Sequence, residues 1–372
     1  MLMTRASVDG VVAGVAIAAT WVLFATVLAG AGSLIGRWVM GGRRLSLQSS
    51  LWLGLAIFLA YVAAVHLVMP ADQRTWLPFL LLALVELVLS RRQIGQAIKF
   101  GASRIRTPLV GTGCGIGVAV TLWIANLSVQ PPLHYDSGLY HLQAISWARD
   151  YPVVTGLANL HFRLGYTSAW WPFSSSLGVG PWRGHESHLP TGFVVTLLVV
   201  TLLSIVIGAL ARRRYGGGEL LAILLLPVSL SQLAFGWVSS PANDQPAYVF
   251  TVMLAVFGIR ALSGTAQAVP VALALAITTA LVRIQFAPFA ILLSLAILIF
   301  WWRRSSFAQI RRPAIAFLCL GPGVRSGAYS AGSHSLRVSA VSPASGGNAG
   351  VLADTHRGGR FISRRRGELR TS

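Results

Sequence analysis

Apolar residues fill this chain in long blocks separated by short polar connections. The first block covers residues 10–36, and others cover 49–69, 76–90, 108–129, 191–211, 219–238, 247–264, 268–284 and 286–302. About 20 apolar residues in helical conformation cross the hydrocarbon core of a bilayer, so the pattern predicts nine membrane spans, with a tenth starting at Pro313. The expected fold class is all-α: a polytopic bundle of transmembrane helices with one large external loop at 130–190. Ala29-Gly30-Ala31 has the look of a signal cleavage site. The run around it is too long for a signal peptide, however, so a retained helix is expected.

The polar connections set the orientation. Arg37, Arg43 and Arg44, then Arg91, Arg92, Lys99, Arg104 and Arg106, then Arg212, Arg213 and Arg214, and finally Arg303 to Arg312 fall on alternate connections. Basic connections stay cytoplasmic. The amino end, 70–75, 130–190 and 239–246 are then expected outside, and 40–48, 91–107, 212–218 and 303–312 inside. The expected location is a plasma membrane, crossed many times by the chain.

Composition supports this class. Hydrophobic residues make up 55% of the chain and charged residues 11%, with a mean hydropathy of +0.67. So low a charged fraction suits lipid rather than water. The net charge of +20 follows the alternation of the connections rather than a patch or stripe, which argues against nucleic acid as a partner. Cys114 and Cys319 each lie within an apolar run and form neither a disulfide framework nor a metal-ligand spacing.

Residues 321–372 change character, with ten Gly, nine Ser and eight Arg. They are expected to form a disordered basic tail, distinct from the transmembrane domain of 1–320. A shifted reading frame and a genuine cytoplasmic tail both account for it. Without the tail the chain still carries 22 basic and eight acidic residues, so the orientation does not depend on it.

Most of the distinctive polar chemistry lies in the 130–190 loop. Its opening contains His134, Tyr135, Asp136, Tyr140 and His141, and apolar residues at 139, 142, 145 and 148 predict a short helix at the membrane surface. Asp136 stands just before that helix. It is either an N-cap, an ordinary solvated acid, or a carboxylate at the water–lipid boundary serving as general base or cation ligand, with His134 and His141 beside it. Asp244, in the 239–246 loop, is either a turn residue or a second carboxylate on the same side. Arg283, near the outer end of its span, either snorkels to the headgroups or binds a phosphate through its forked guanidinium. Asn159, Arg163 and Trp170 lie in a stretch mixing amide, guanidinium and aromatic groups, which suits a carbohydrate site or a headgroup-level aromatic belt. Glu86 and Arg260 are expected to reach water or headgroups at the cytoplasmic ends of their spans.

Asp136-Ser-Gly-Leu-Tyr-His141, followed by Tyr151-Pro-Val-Val-Thr-Gly-Leu-Ala-Asn-Leu-His-Phe-Arg-Leu-Gly-Tyr166, resembles a group of bacterial multi-spanning proteins. That group is in turn similar to the GT-C superfamily, membrane glycosyltransferases that use lipid-phosphate-linked sugars. The resemblance implies transfer of a sugar from a polyprenyl-phosphate donor at the external face, with a divalent cation as a conceivable cofactor. Asp136 and Asp244 would then be catalytic. Arg283 would bind the lipid phosphate, and His134, Tyr135, Tyr140, His141, Asn159, Arg163 and Trp170 would bind substrate. Here the loop follows the fourth span rather than the first, and Asp136 has no second acid adjacent. A transporter or lipid flippase, with Arg283 and Glu86 lining a pathway, is the competing class.

Overall fold

A computed structural model describes residues 5–132, 134–160, 162–165, 168–304, 312 and 315. The chain divides into residues 1–336 and 337–372, and every described residue belongs to the first unit. The expected tail and the tenth span lie outside the described residues.

Every element among the described residues is helical. The helices are α1 (Arg5–Val39), α2 (Leu47–Val65), α3 (Leu77–Ile105), α4 (Pro108–Ser128), α5 (Leu142–Asp150), α6 (Leu157–Leu160), α7 (Trp170–Ser176), α8 (Pro190–Arg212), α9 (Gly217–Ser231), α10 (Asp244–Leu262), α11 (Ala268–Val282) and α12 (Ala287–Arg303). Among the described residues, seven segments are long and apolar enough to cross a membrane: Gly10–Val39, Leu47–Val65, Gln73–Gln93, Pro108–Ser128, Glu186–Arg212, Asp244–Leu262 and Ile284–Arg303. The chain is thus built as a multi-pass membrane protein.

All nine predicted spans are helices, but two are shorter than expected. α9 stops at Ser231 because the chain tightens into 3-10 turns and Gly236 takes the left-handed conformation, φ 67°. α11 stops at Val282 because Arg283 is extended, φ −150°. Fifteen residues rise about 22 Å, less than the roughly 30 Å hydrocarbon core. The third helix departs the other way. It continues past Ser90 to Ile105 through a stretch expected as a loop, since Gln93, Gln96, Ala97 and Lys99 are good helix formers and no proline intervenes before Pro108.

Starts and stops follow local chemistry. Ser46 caps α2, its hydroxyl accepting from the Ser49 amide at 3.2 Å. Proline opens α4 and α8, where a missing N–H removes no helical bond. α1 and α2 cross through glycine: a Cβ at Gly32 would collide with the Ser50 carbonyl, and one at Gly54 with the Leu28 carbonyl. Such close backbone approach is how helices associate in lipid, where apolar contact alone gives no preference for protein over acyl chains. Gly30 of the Ala29-Gly30-Ala31 motif packs against Ala83, inside the bundle, in a helix that is retained as expected.

α11 is apolar on all sides and almost wholly buried, so it forms part of the centre with α8 and α10. α3 is peripheral and presents bare aliphatic groups, with Leu81 62% and Val88 67% exposed; that face is built for lipid. One aromatic cluster sits where the helices meet the loop layer. Phe58 contacts Trp76 at 4.2 Å, Phe79 at 4.9 Å and Phe173 at 6.1 Å between ring centroids.

The 129–189 segment covers one end of the bundle and is fastened there largely by main chain. Val153 N–H donates to the His66 carbonyl, Ala71 N–H to the Ala148 carbonyl and Ala169 N–H to the Leu281 carbonyl, at 2.8–3.0 Å. Trp170 Nε1 donates to the Pro241 carbonyl at 3.0 Å, and the Ser168 hydroxyl to the Val282 carbonyl at 2.9 Å. The connections expected on one side therefore do share one end. Arg37, Arg44, Arg260 and Arg304 lie at the other, near the ends of α1, α10 and α12 and beside Ser90 of α3.

Candidate functional site

At the loop-covered end, the predicted helix after Leu139 forms as α5, with Ile145 and Ala148 of its apolar stripe buried. Its approach is unusual: Ser137–His141 winds as a π-helical turn, a local widening often found at functional sites. The widened turn carries Tyr140 and His141 inward toward α7.

Asp136 is not an N-cap. It already has right-handed helical φ and ψ and makes no side-chain capping bond. Its carboxylate pairs instead with Arg163. The Arg163 guanidinium also stands 5.4 Å from the Tyr140 ring centre and 5.7 Å from that of Phe162. Tyr140 meets Trp171 edge-on at 6.3 Å. His141 stacks on Trp171 at 4.9 Å, and His134 lies flat on Trp237 at 3.8 Å with 16° between the planes. Aromatic faces beside hydrogen-bonding groups thus surround the Asp136–Arg163 pair.

The second pair lies on neighbouring elements. Asp244 opens α10 and pairs with Arg283 at the end of α11. The two pairs share a scaffold: the Ser137 hydroxyl is 3.1 Å from that of Ser240, whose carbonyl accepts from the Thr191 hydroxyl at 2.7 Å. Trp170 ties α7 to Pro241, and Ala169 ties it to Leu281. All four charged side chains remain accessible: Asp136 is 41% exposed, Arg163 32%, Asp244 49% and Arg283 35%. Ligand contact needs that access.

His141 behaves differently. Its residue is only 3% exposed and burial pushes its pKa down to about 4, although the nearby Asp136 charge opposes this. The imidazole is therefore neutral near pH 7. Its Nδ1 finds no hydrogen-bond partner among the described residues, and neither does His134 Nε2.

Three expected binding residues stand apart from this cluster. Tyr135 is 79% exposed. Asn159 is exposed on α6, where its backbone N–H donates to the Gly156 carbonyl. Trp170 is fully buried, stacked on Phe173 at 5.1 Å with its indole N–H engaged. It supports the site from beneath, and Trp171 is the tryptophan that touches His141. Sequence reasoning missed Trp171 as a contact, along with Trp237, Ser137 and Ser240. Its one usable signal was the tryptophan pair: adjacent helical positions face different ways, so the two rings meet different neighbours although both are buried.

Glu86 also departs from expectation. It is 4% exposed and lies within the bundle, paired with Arg37. It accepts from the Ser33 hydroxyl at 2.9 Å and the Ser90 hydroxyl at 2.7 Å. Ser90 in turn accepts from Arg37 and Arg44 at 3.1 and 3.0 Å. A carboxylate this far from water is retained by its partners. Arg260 pairs with Glu219 at 2.6 Å.

Among the described residues no group of three or more His, Cys, Asp or Glu side chains stands together as metal ligands. No curated protein and no solved structure matches the chain. A family model does match, over residues 15–325, and the chain belongs to that family, described as a domain of unknown function, DUF8201.

Proposed function

We propose that this protein is a membrane glycosyltransferase-like enzyme that transfers a sugar from a polyprenyl-phosphate donor at the external face of a bacterial plasma membrane. The carrying observation is the pair of accessible carboxylate–guanidinium couples, Asp136–Arg163 and Asp244–Arg283, set among stacked aromatic rings at one end of a bundle of membrane-crossing helices. A lipid-linked sugar brings its phosphate to that depth, where Arg283 offers a forked donor. Arg37, Arg44 and Arg304 of the basic connections lie at the opposite end, which supports an outward-facing site.

In this reading Asp136 takes the proton from the acceptor hydroxyl as the acceptor oxygen bonds the anomeric carbon. The bond from that carbon to the phosphate oxygen breaks, and the phosphate leaves with the electron pair. A carboxylate offers about four lone-pair positions, so pairing with Arg163 leaves Asp136 room to accept a proton. Arg283 balances the leaving phosphate, which competes with Asp244 for the guanidinium. His141, neutral and buried, serves as a hydrogen-bonding wall rather than a charge.

The alternative, a transporter or lipid flippase, draws on buried Glu86. That carboxylate is enclosed by Ser33, Arg37 and Ser90, an arrangement that favours a clamp between α1 and α3 over a pathway residue.

The test uses the full chain in membranes with a polyprenyl-phosphate sugar. General-base assistance is typically worth about 10²–10⁴-fold, so Asp136→Asn should lose turnover on that scale while still binding donor. Arg283→Ala should chiefly weaken donor binding. Undiminished turnover in Asp136→Asn would sink the assignment.

A further inference from the structure

α10 is gripped from two sides. On one side lies α9: a Cβ at Gly217 would stand 3.0 Å from the Ile259 side chain, the Ser229 hydroxyl is 3.2 Å from that of Tyr248, and Gln245 bonds Gln232 at 3.4 Å. On the other lies α12: a Cβ at Gly258 would stand 2.7 Å from the Leu293 side chain, and the Trp301 indole donates to the Ala261 carbonyl at 3.1 Å. Helical spacing puts Asp244, Thr251, Ala255 and Leu262 on the face between these two grips. All four stay partly or largely exposed, whereas Met253, Leu254, Val256 and Phe257 are buried.

This face is a recessed floor. The helices beside it turn bare aliphatic groups to the lipid, with Leu224 of α9 68% and Leu292 of α12 67% exposed. Two helices packed about 9 Å from a third, and about a third of a turn apart around it, leave a slot roughly 5 Å wide between them. That width takes one hydrocarbon chain. The floor is dry, because the Thr251 hydroxyl donates to the Ala247 carbonyl at 2.7 Å and Tyr248 is engaged by Ser229.

The head of the slot is charged. Asp244 opens the stripe at the loop-covered end and pairs there with Arg283, so a guanidinium stands at phosphate depth directly above an apolar track. From Asp244 to Leu262 the track is about 27 Å long, nearly the full thickness of a hydrocarbon core of about 30 Å. A phospholipid acyl chain covers a single leaflet, about half of that distance, and brings a second chain beside it. A polyprenyl chain is single and long enough to fill the slot from end to end.

We propose that the slot between α9 and α12 seats the hydrocarbon chain of a polyprenyl phosphate, with its phosphate at Arg283 and Ala255 as the floor beneath its middle. The identity of the lipid rests on the donor class named above; occupancy of the slot is a matter of binding, so the two readings fail separately.

The experiment uses the full chain in phosphatidylcholine nanodiscs and a polyprenyl phosphate carrying a diazirine roughly 16 Å along its chain, the rise from Asp244 to Ala255. Photolysis should label α10 around Ala255 or the flanking parts of α9 and α12, located by mass spectrometry of the digest. Unlabelled polyprenyl phosphate should compete, and phosphatidylglycerol should not. Ala255→Trp fills the slot and should cut labelling about tenfold, the worth of about two buried methylenes. Thr251→Phe places the block one turn higher and serves if Ala255→Trp fails to fold. Ala255→Gly, and Leu292→Trp on the outward side of α12, should label as the parent does. Label spread over the lipid faces of α3 and α4, full labelling of both blocked variants, or equal competition by phosphatidylglycerol overturns the proposal. Labelling as described in a chain that transfers no sugar would uphold the slot and remove the glycosyltransferase reading alone.

Discussion

The hydroxyls of Ser137 and Ser240 stand 3.1 Å apart, both buried, and this contact joins the turn bearing Asp136 to the loop leading into Asp244. Neither oxygen faces solvent, so the bond is shielded from competing water. A double-mutant cycle with Ser137→Ala and Ser240→Ala should give a coupling of about 1 kcal/mol, read from thermal unfolding in detergent. Additive single effects would mean that the two segments are positioned independently.

Arg37 and Glu86 make the opposite kind of pair, enclosed rather than accessible. Removing one partner of a buried ion pair costs about 3–5 kcal/mol because the other is left uncompensated. Glu86→Ala should destabilise on that scale, whereas Arg37→Leu combined with Glu86→Leu should be milder. The comparison is of apparent melting temperatures, and a double variant worse than the single one would remove the clamp.

His141 gives a pH signature. Its folded pKa, about 4, lies below its unfolded value near 6.5. Between these values the unfolded chain binds the extra proton, so stability rises with pH through that window. The neutral imidazole's contribution is complete above about pH 6.5 and is lost on acidification toward pH 4. In His141→Phe the slope of melting temperature against pH over this range should be shallower. An unchanged slope would mean that other groups control it.

The α1–α2 crossing tolerates no side chain at its centre. A Cβ at Gly32 or Gly54 meets a carbonyl of the other helix, so each Gly→Ala change should destabilise by about 1–3 kcal/mol through overpacking. Gly115, with open space around it, should accept alanine without loss. Equal responses at all three would show the crossing to be looser than described.

Labelling decides the orientation. Cysteine placed at Asp150 and at Lys99 should react with impermeant reagents from opposite sides of sealed vesicles. Reaction from a single side would remove the outward-facing site.

What the sequence conveyed was the arrangement along the chain. Helix positions were legible because bilayer thickness imposes a length and lipid imposes apolarity, and the alternation of basic connections ordered the two ends. The truncation of α9 and α11 was not, since it depends on Gly236 and Arg283 leaving helical geometry within runs that still look apolar. At the candidate site, Asp136, Arg163, Asp244 and Arg283 were singled out, but which acid meets which base depends on how the 129–189 segment folds back. The same tertiary fact separates Trp171, which touches His141, from Trp170, which anchors. Glu86 was misjudged because distance along a span does not reveal which helix closes over it.

The loop layer is pinned through carbonyl oxygens of His66, Pro241, Leu281 and Val282, and a carbonyl is the same whatever residue bears it. The outward faces of α3, α4 and α12 can therefore exchange one aliphatic residue for another over evolutionary time without shifting the loop's footing. Relatives adapted to bilayers of different lipid composition would then differ most on those faces while keeping the geometry of their charged pairs. A chain fastened in this way separates the part of its sequence that answers to the membrane from the part that answers to its chemistry.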